Sequence, residues 1–69
     1  MKSFKLEGYD FIELNKLLKI MQLVGSGGEA NQLISEGYVS VNGLIETQKR
    51  KKLRKGDVVE LDGDVVEIQ

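Results

Sequence analysis

The stretch that decides the fold is "SGGEANQLISEGYVSVNG", residues 26–43. Ser26 precedes Glu29 by three positions, which is the spacing of a capping box at the start of a helix. Apolar residues then recur at helical spacing, and Gly37 follows where a left-handed C-cap residue is expected. This pattern predicts a helix from about Gly27 to Glu36.

The hydrophobic period changes after this helix. Tyr38–Val41 alternates in the manner of a strand and ends at Asn42-Gly43. Asn-Gly between apolar segments is a strong hairpin signal, because both central residues of a type I′ turn need positive φ. The sequence therefore predicts a hairpin whose return strand begins with Leu44-Ile45.

The flanking segments complete the expected fold. Upstream, the alternation in Lys2–Leu6 predicts a short strand, and leucines at helical spacing predict a first helix over Phe11–Gln22. Asp10 and Glu13 have the spacing of a capping box for this helix. Downstream, two strands are predicted around the Asp62-Gly63 turn, over residues 58–61 and 65–68. The predicted class is α+β, with two helices packed on a small, mostly antiparallel sheet in one domain spanning residues 1–69.

The amino-acid composition restricts the classes of function that the protein can have. The chain has 69 residues, no cysteine and no histidine, so the commonest general base and the thiolate and imidazole metal ligands are absent. We therefore expect a protein that is not an enzyme and holds no metal or cofactor. The N-terminal residues lack the apolar run of a signal peptide, and no stretch is long enough to span a membrane. These features predict a soluble cytoplasmic protein.

Positive charge is concentrated in "KRKKLRK", residues 49–55, which holds six of the ten basic residues of a chain with a formal net charge of −1. Such a run is often only a solvated face, and lysines on an edge strand also discourage aggregation. However, clustered like charges repel and destabilise a small domain. Leu53, the one apolar residue in the run, is expected to anchor it. An ordered cationic patch predicts a polyanionic partner, either nucleic acid or an acidic protein, with anionic lipid least favoured.

The glycines before the second helix have more than one interpretation. Gly25 to Ala30 matches a dinucleotide-binding fingerprint only weakly, because no strand precedes it. In one interpretation, Gly25 ends the first helix and Gly27-Gly28 let another backbone approach. In the other, the uncovered amides at the start of the helix bind an anion.

These residues carry a family resemblance. "SGGEANQLISEGYVSVNGLIET", followed by a basic run and "KGDVVEL", resembles the αL RNA-binding motif, the S-four domain named after small-subunit ribosomal protein four. The resemblance covers about residues 10–61 and is strongest to the stand-alone small bacterial subfamily. It implies two helices against a sheet, with RNA lying along the second helix and the loop beyond the hairpin.

The resemblance also implies site residues and partners. Larger relatives often carry arginine or lysine early on the second helix, whereas this chain has Glu29, Asn31 and Gln32 there, so the basic run is expected to supply the electrostatic attraction. The expected partner of a monomer is ribosomal or transfer RNA, within a ribosome or ribonucleoprotein; the alternative is a protein-interaction module for an acidic partner. The expected RNA-binding residues are Ser26, Gly27, Gly28, Asn31, Gln32, Lys49, Arg50, Lys51, Lys52, Arg54 and Lys55.

Overall fold

The computed structural model describes all 69 residues and contains two helices and seven strands. The helices are α1 (Leu14–Ile20) and α2 (Gly27–Ser35). The strands are β1 (Lys2–Phe4), β2 (Ile12–Glu13), β3 (Val39–Val41), β4 (Leu44–Ile45), β5 (Lys52–Leu53), β6 (Val58–Leu61) and β7 (Asp64–Ile68). Neither helix has the length and hydrophobicity needed to cross a membrane.

Helix α2 forms almost as predicted. The Ser26 hydroxyl accepts a hydrogen bond from the Glu29 amide at 3.1 Å, which satisfies one of the amides that a helix start leaves free. At the other end, Gly37 has a φ of 86°, and the Tyr38 amide donates to the Leu33 carbonyl. With the Gly37 amide donating to the Ile34 carbonyl, this is a Schellman C-cap, which favours glycine because of its positive φ.

Both predicted hairpin turns are confirmed. Asn42 and Gly43 have φ values of 53° and 84°, and Asp62 and Gly63 have 52° and 87°. Positive φ at both central residues is the conformation of a type I′ turn, whose twist matches that of the flanking strands. The turns join β3 to β4 and β6 to β7 as two-residue loops.

The main sheet has five strands in the order β1-β7-β6-β3-β4, and all neighbours are antiparallel except β1 and β7. The predicted class, two helices on a mostly antiparallel sheet, is confirmed. The core lies between the sheet and the helices. Its fully buried members include Leu14, Leu17, Leu18, Ile34, Leu53, Val59 and Val66.

Helix α1 differs from its prediction at its start. It begins at Leu14 instead of Phe11, because Ile12–Glu13 pairs as β2 with Lys52–Leu53. Glu13 occupies the N-cap position, and its side chain makes no capping hydrogen bond, so the capping box predicted from Asp10 and Glu13 is wrong.

Helix α1 also ends early. The chain leaves the helix after Ile20, and Gln22 takes the left-handed conformation with a φ of 59°. The Leu23 amide donates to the Leu18 carbonyl at 3.0 Å, which gives a second Schellman C-cap with glutamine at the position glycine usually occupies. Gly25 therefore does not end the first helix, and the prediction that it does was wrong.

Candidate nucleic-acid interface

The basic segment, residues 49–55, is held to the body of the protein by its backbone and by one side chain. Leu53 is completely buried, as predicted, and anchors β5 in the core. The six cationic residues on either side remain exposed, except Lys51, which is half-buried. The segment is therefore an ordered strand and turn that hold their charges toward solvent.

The carbonyls of the basic segment complete the start of α1. The Leu14 amide donates to the Lys51 carbonyl at 2.9 Å, and the Asn15 amide donates to the Lys49 carbonyl at 3.0 Å. The first amides of a helix have no acceptor within the helix, so these bonds take the place of a side-chain cap. The backbone positions of Lys49 and Lys51 are thus fixed relative to α1.

A second set of bonds fixes the far end of the basic segment. The Asp57 carboxylate accepts from the Arg54 amide at 2.8 Å and from the Asn42 side-chain amide at 3.0 Å. The Asn42 side-chain oxygen in turn accepts from the Val58 amide at 2.9 Å. The sequence predicted Asn42 only as a turn residue and did not reveal this contact with Asp57. It ties the β3–β4 turn to the end of the basic segment.

Three of the six cations have partners within the protein. The Arg50 guanidinium lies 3.2 Å from the Glu13 carboxylate, which Lys16 also approaches at 3.4 Å. Lys52 and Arg54 lie over the Phe11 ring, at 4.9 and 5.7 Å from its centroid. The remaining cations, Lys49, Lys51 and Lys55, contact neither a carboxylate nor an aromatic ring. Phe11 and Glu13 were not predicted as site residues, because only the fold brings β2 beside β5.

The start of α2 is open. Apart from its chain neighbours and the backbone of its own helix, no atom lies within 4 Å of a Cβ built on Gly27, and only the Ser26 hydroxyl, at 3.9 Å, lies within that distance of one built on Gly28. The interpretation that these glycines admit another backbone is therefore wrong. Their amides have no acceptor in the protein, whereas Glu29 folds back to accept from the Gly25 amide at 2.6 Å.

Asn15 joins the two halves of the candidate site. Its backbone amide binds the basic segment, and its side-chain amide donates to the Asn31 side-chain oxygen on α2 at 3.1 Å. Asn31 is half-buried, whereas Gln32 is exposed and donates to Glu36 at 3.4 Å. A continuous polar connection therefore runs from the basic segment through α1 to α2. Asn15 was not predicted as part of the site, because nothing in its local sequence indicates either contact.

Comparison with known proteins agrees with this architecture. The family model of the S4 domain matches residues 4–69. The solution structure of YbcJ from Escherichia coli, described as an αL motif involved in RNA binding, is 38% identical and superposes with a TM-score of 0.75, covering 99% of this chain and 86% of that one. A second relative, the "Probable ribosome maturation protein RlbA" of Bacillus subtilis (strain 168), is 39% identical over 54 residues, 78% of this chain and 76% of its own. The chain belongs to the S4 domain family, the S-four family that its sequence resembles.

Proposed function

We propose that this protein binds structured RNA, ribosomal or transfer RNA, without catalysing a reaction on it. The observation that carries the proposal is the basic segment, whose backbone is fixed at Lys49, Lys51 and Arg54 while five of its six cationic side chains are exposed. Cations held in this way lose less conformational freedom on binding than those of a mobile loop. The description of the E. coli relative as RNA-binding, and the name of the B. subtilis relative, support RNA and a ribosomal setting.

The two halves of the site have different roles in this proposal. The basic segment attracts the phosphate backbone, with Lys49, Lys51 and Lys55 as the cations that have no partner inside the protein. The start of α2 has no lysine or arginine, and it presents the amides of Gly27 and Gly28 and the side chain of Gln32. It therefore contributes shape and hydrogen bonds more than charge.

Salt dependence tests the proposal directly. If all six cations met phosphates, the logarithm of the affinity would fall against the logarithm of the salt concentration with a slope near −5, taking about 0.9 per contact as in B-DNA. Because three cations have partners in the protein, we expect a slope of about −2 to −4. Fluorescence anisotropy with a labelled RNA hairpin, measured from low to high potassium chloride, gives the slope.

A competitor with the same negative charge as the RNA distinguishes RNA binding from the alternative function, docking to an acidic protein. Polyglutamate carries a dense negative charge but no sugar, base or phosphate. We expect it to displace the RNA only at far higher concentrations of negative charge. Displacement at matched charge, or an affinity for RNA that does not change with salt, would contradict RNA binding as proposed.

Replacing Gly28 with alanine tests the start of α2. Because a Cβ at Gly28 meets only the Ser26 hydroxyl at 3.9 Å, the variant should keep its fold, and helix propensity favours alanine by up to about 1 kcal/mol. The added methyl group nevertheless projects where the phosphate is proposed to approach the free amides. We expect an equal or higher melting temperature together with weaker RNA binding.

The matched control for this variant is Ser35→Ala at the other end of α2, which also raises helix propensity. It should leave the affinity for RNA unchanged. If Gly28→Ala binds RNA as tightly as the unaltered protein, the start of α2 does not contact RNA.

A further inference from the structure

An apolar groove of about 350 Å³ lies beside the basic segment. Tyr9, Phe11, Ile12 and Ile20 line it, together with the side chain of Lys16. Tyr9 is 78% exposed and Ile20 57%, so the groove displays large apolar side chains to solvent in the unbound protein. Exposed apolar surface of this kind, bordered by polar residues, is typical of a binding site.

Two cations of the basic segment border the groove on its Phe11 side. Phe11 belongs both to the groove and to the contact with Lys52 and Arg54, whose charged groups lie 4.9 and 5.7 Å from its ring centroid. The one acidic lining residue, Glu13, is engaged by Lys16 at 3.4 Å and by Arg50 at 3.2 Å. The surface therefore combines an aromatic and aliphatic floor with cations at its edge.

This combination suits a ligand that is flat and apolar on its faces and carries a negative charge next to them. A nucleotide has this chemistry, because a base can stack on an aromatic ring while its phosphate meets a cation. The groove volume also lies within the range of small-ligand pockets. An apolar protein side chain would fill the floor but leave the cations of the rim without a partner.

We propose that the groove receives an unpaired base of the RNA whose phosphates lie on the basic segment. The inference rests on the proposed RNA binding and adds a preference for RNA that contains an unpaired nucleotide. In a paired A-form helix the bases are stacked inside and cannot enter such a groove, whereas loops and bulges can turn a base outward. The protein therefore distinguishes RNA with an unpaired nucleotide from a continuous duplex.

The test compares two RNAs of equal length, a blunt duplex and the same duplex with one bulged 2-aminopurine. Tyr9→Ala should weaken binding to the bulged RNA by about 5- to 150-fold, the range that loss of one stacked base gives, and should leave the duplex affinity unchanged. Tyr9→Phe keeps the ring and should bind as the unaltered protein does. The 2-aminopurine fluorescence should be quenched by the unaltered protein and by Tyr9→Phe, but not by Tyr9→Ala.

Tyr38→Ala is the matched control, since Tyr38 is also exposed, at 63%, but lies in a different groove with the acidic Asp62 and Asp64. Tyr38→Ala should change neither the affinity for the bulged RNA nor the affinity for the duplex. Equal losses on both RNAs, or no loss with Tyr9→Ala, would overturn the inference while leaving RNA binding by the basic segment in place. If the unaltered protein binds neither RNA at 0.1 M salt, the proposed function fails and the inference fails with it.

Discussion

Replacing Lys49 and Lys55 together with glutamate should weaken RNA binding by at least about 50-fold at 0.1 M salt. Both side chains are exposed and have no partner in the protein. With about 0.9 salt ions released per phosphate contact, the loss of two contacts lowers the affinity roughly 60-fold at this salt concentration. The new carboxylates also repel the phosphates. The salt slope should become shallower by about 2. Anisotropy titrations at several salt concentrations measure both effects.

The control variant carries Lys5→Glu together with Lys19→Glu and tests whether the position of the reversed charges matters. These lysines are also exposed and unpaired, but they lie outside the basic segment, and the change in net charge is the same. A modest loss from long-range repulsion is expected. Equal losses in the two double variants would show that RNA responds only to net charge and that the basic segment is not its site. Arg50 is unsuitable for reversal, since a glutamate there would face Glu13 and could disturb the fold.

Replacing Leu53 with alanine should have the largest effect on stability. Leu53 is completely buried and is the only core residue within the basic segment. Buried leucine-to-alanine changes cost about 2–5 kcal/mol, because transfer free energy is lost and a cavity remains. A domain of this size has a total stability of roughly 3–10 kcal/mol. We therefore expect the variant to be largely unfolded near 37 °C, as measured by circular dichroism during thermal and urea unfolding.

Leu44→Ala is the control, because it makes the same leucine-to-alanine change at a residue that is 75% exposed on β4. Its effect should lie within about 0.5 kcal/mol. If Leu53→Ala unfolds at the same temperature as Leu44→Ala, then Leu53 does not anchor the basic segment. At temperatures where Leu53→Ala is still folded, its RNA affinity reports how far the position of the cations depends on this anchor.

The parts of the fold predicted from sequence are those with local causes. Both hairpins follow from Asn42-Gly43 and Asp62-Gly63, because few residue pairs tolerate positive φ twice in succession. Helix α2 follows from Ser26 and Gly37, which provide its first and last hydrogen bonds from within the same segment. Local chemistry specifies these elements, so one sequence is enough to recognise them.

Most of the errors come from contacts between distant segments. The first helix was predicted three residues too early because Ile12–Glu13 pairs with Lys52–Leu53, and a Lys-Leu pair in a basic run gives no strand signal. Its end was missed because Gln22 adopts positive φ without being glycine. The parallel pairing of β1 with β7 also has no local signature.

The residues of the candidate site also fall into those with a local sequence signal and those brought in by distant contacts. The basic segment and the open glycines could be found from composition and spacing, since charge density and missing side chains are visible in the sequence. Phe11, Glu13 and Asn15 could not be found, because they join the site through β2 and the start of α1. Whether the residues predicted to bind RNA do so stays a prediction that the variants above will test.

The hydrogen bonds between α1 and the basic segment also bear on the order of folding during synthesis. Helix α1 has only seven residues, and isolated helices shorter than about 12 residues are marginal in water. The acceptors for its first amides, the carbonyls of Lys49 and Lys51, belong to the second half of the chain. Helix α2, with nine residues, is also shorter than this, but both of its caps and the adjoining Asn42-Gly43 turn are built from neighbouring residues, so this part of the chain can form first. We therefore expect a nascent chain to complete α1 and the candidate RNA-binding surface together, only after the basic segment has left the ribosomal tunnel.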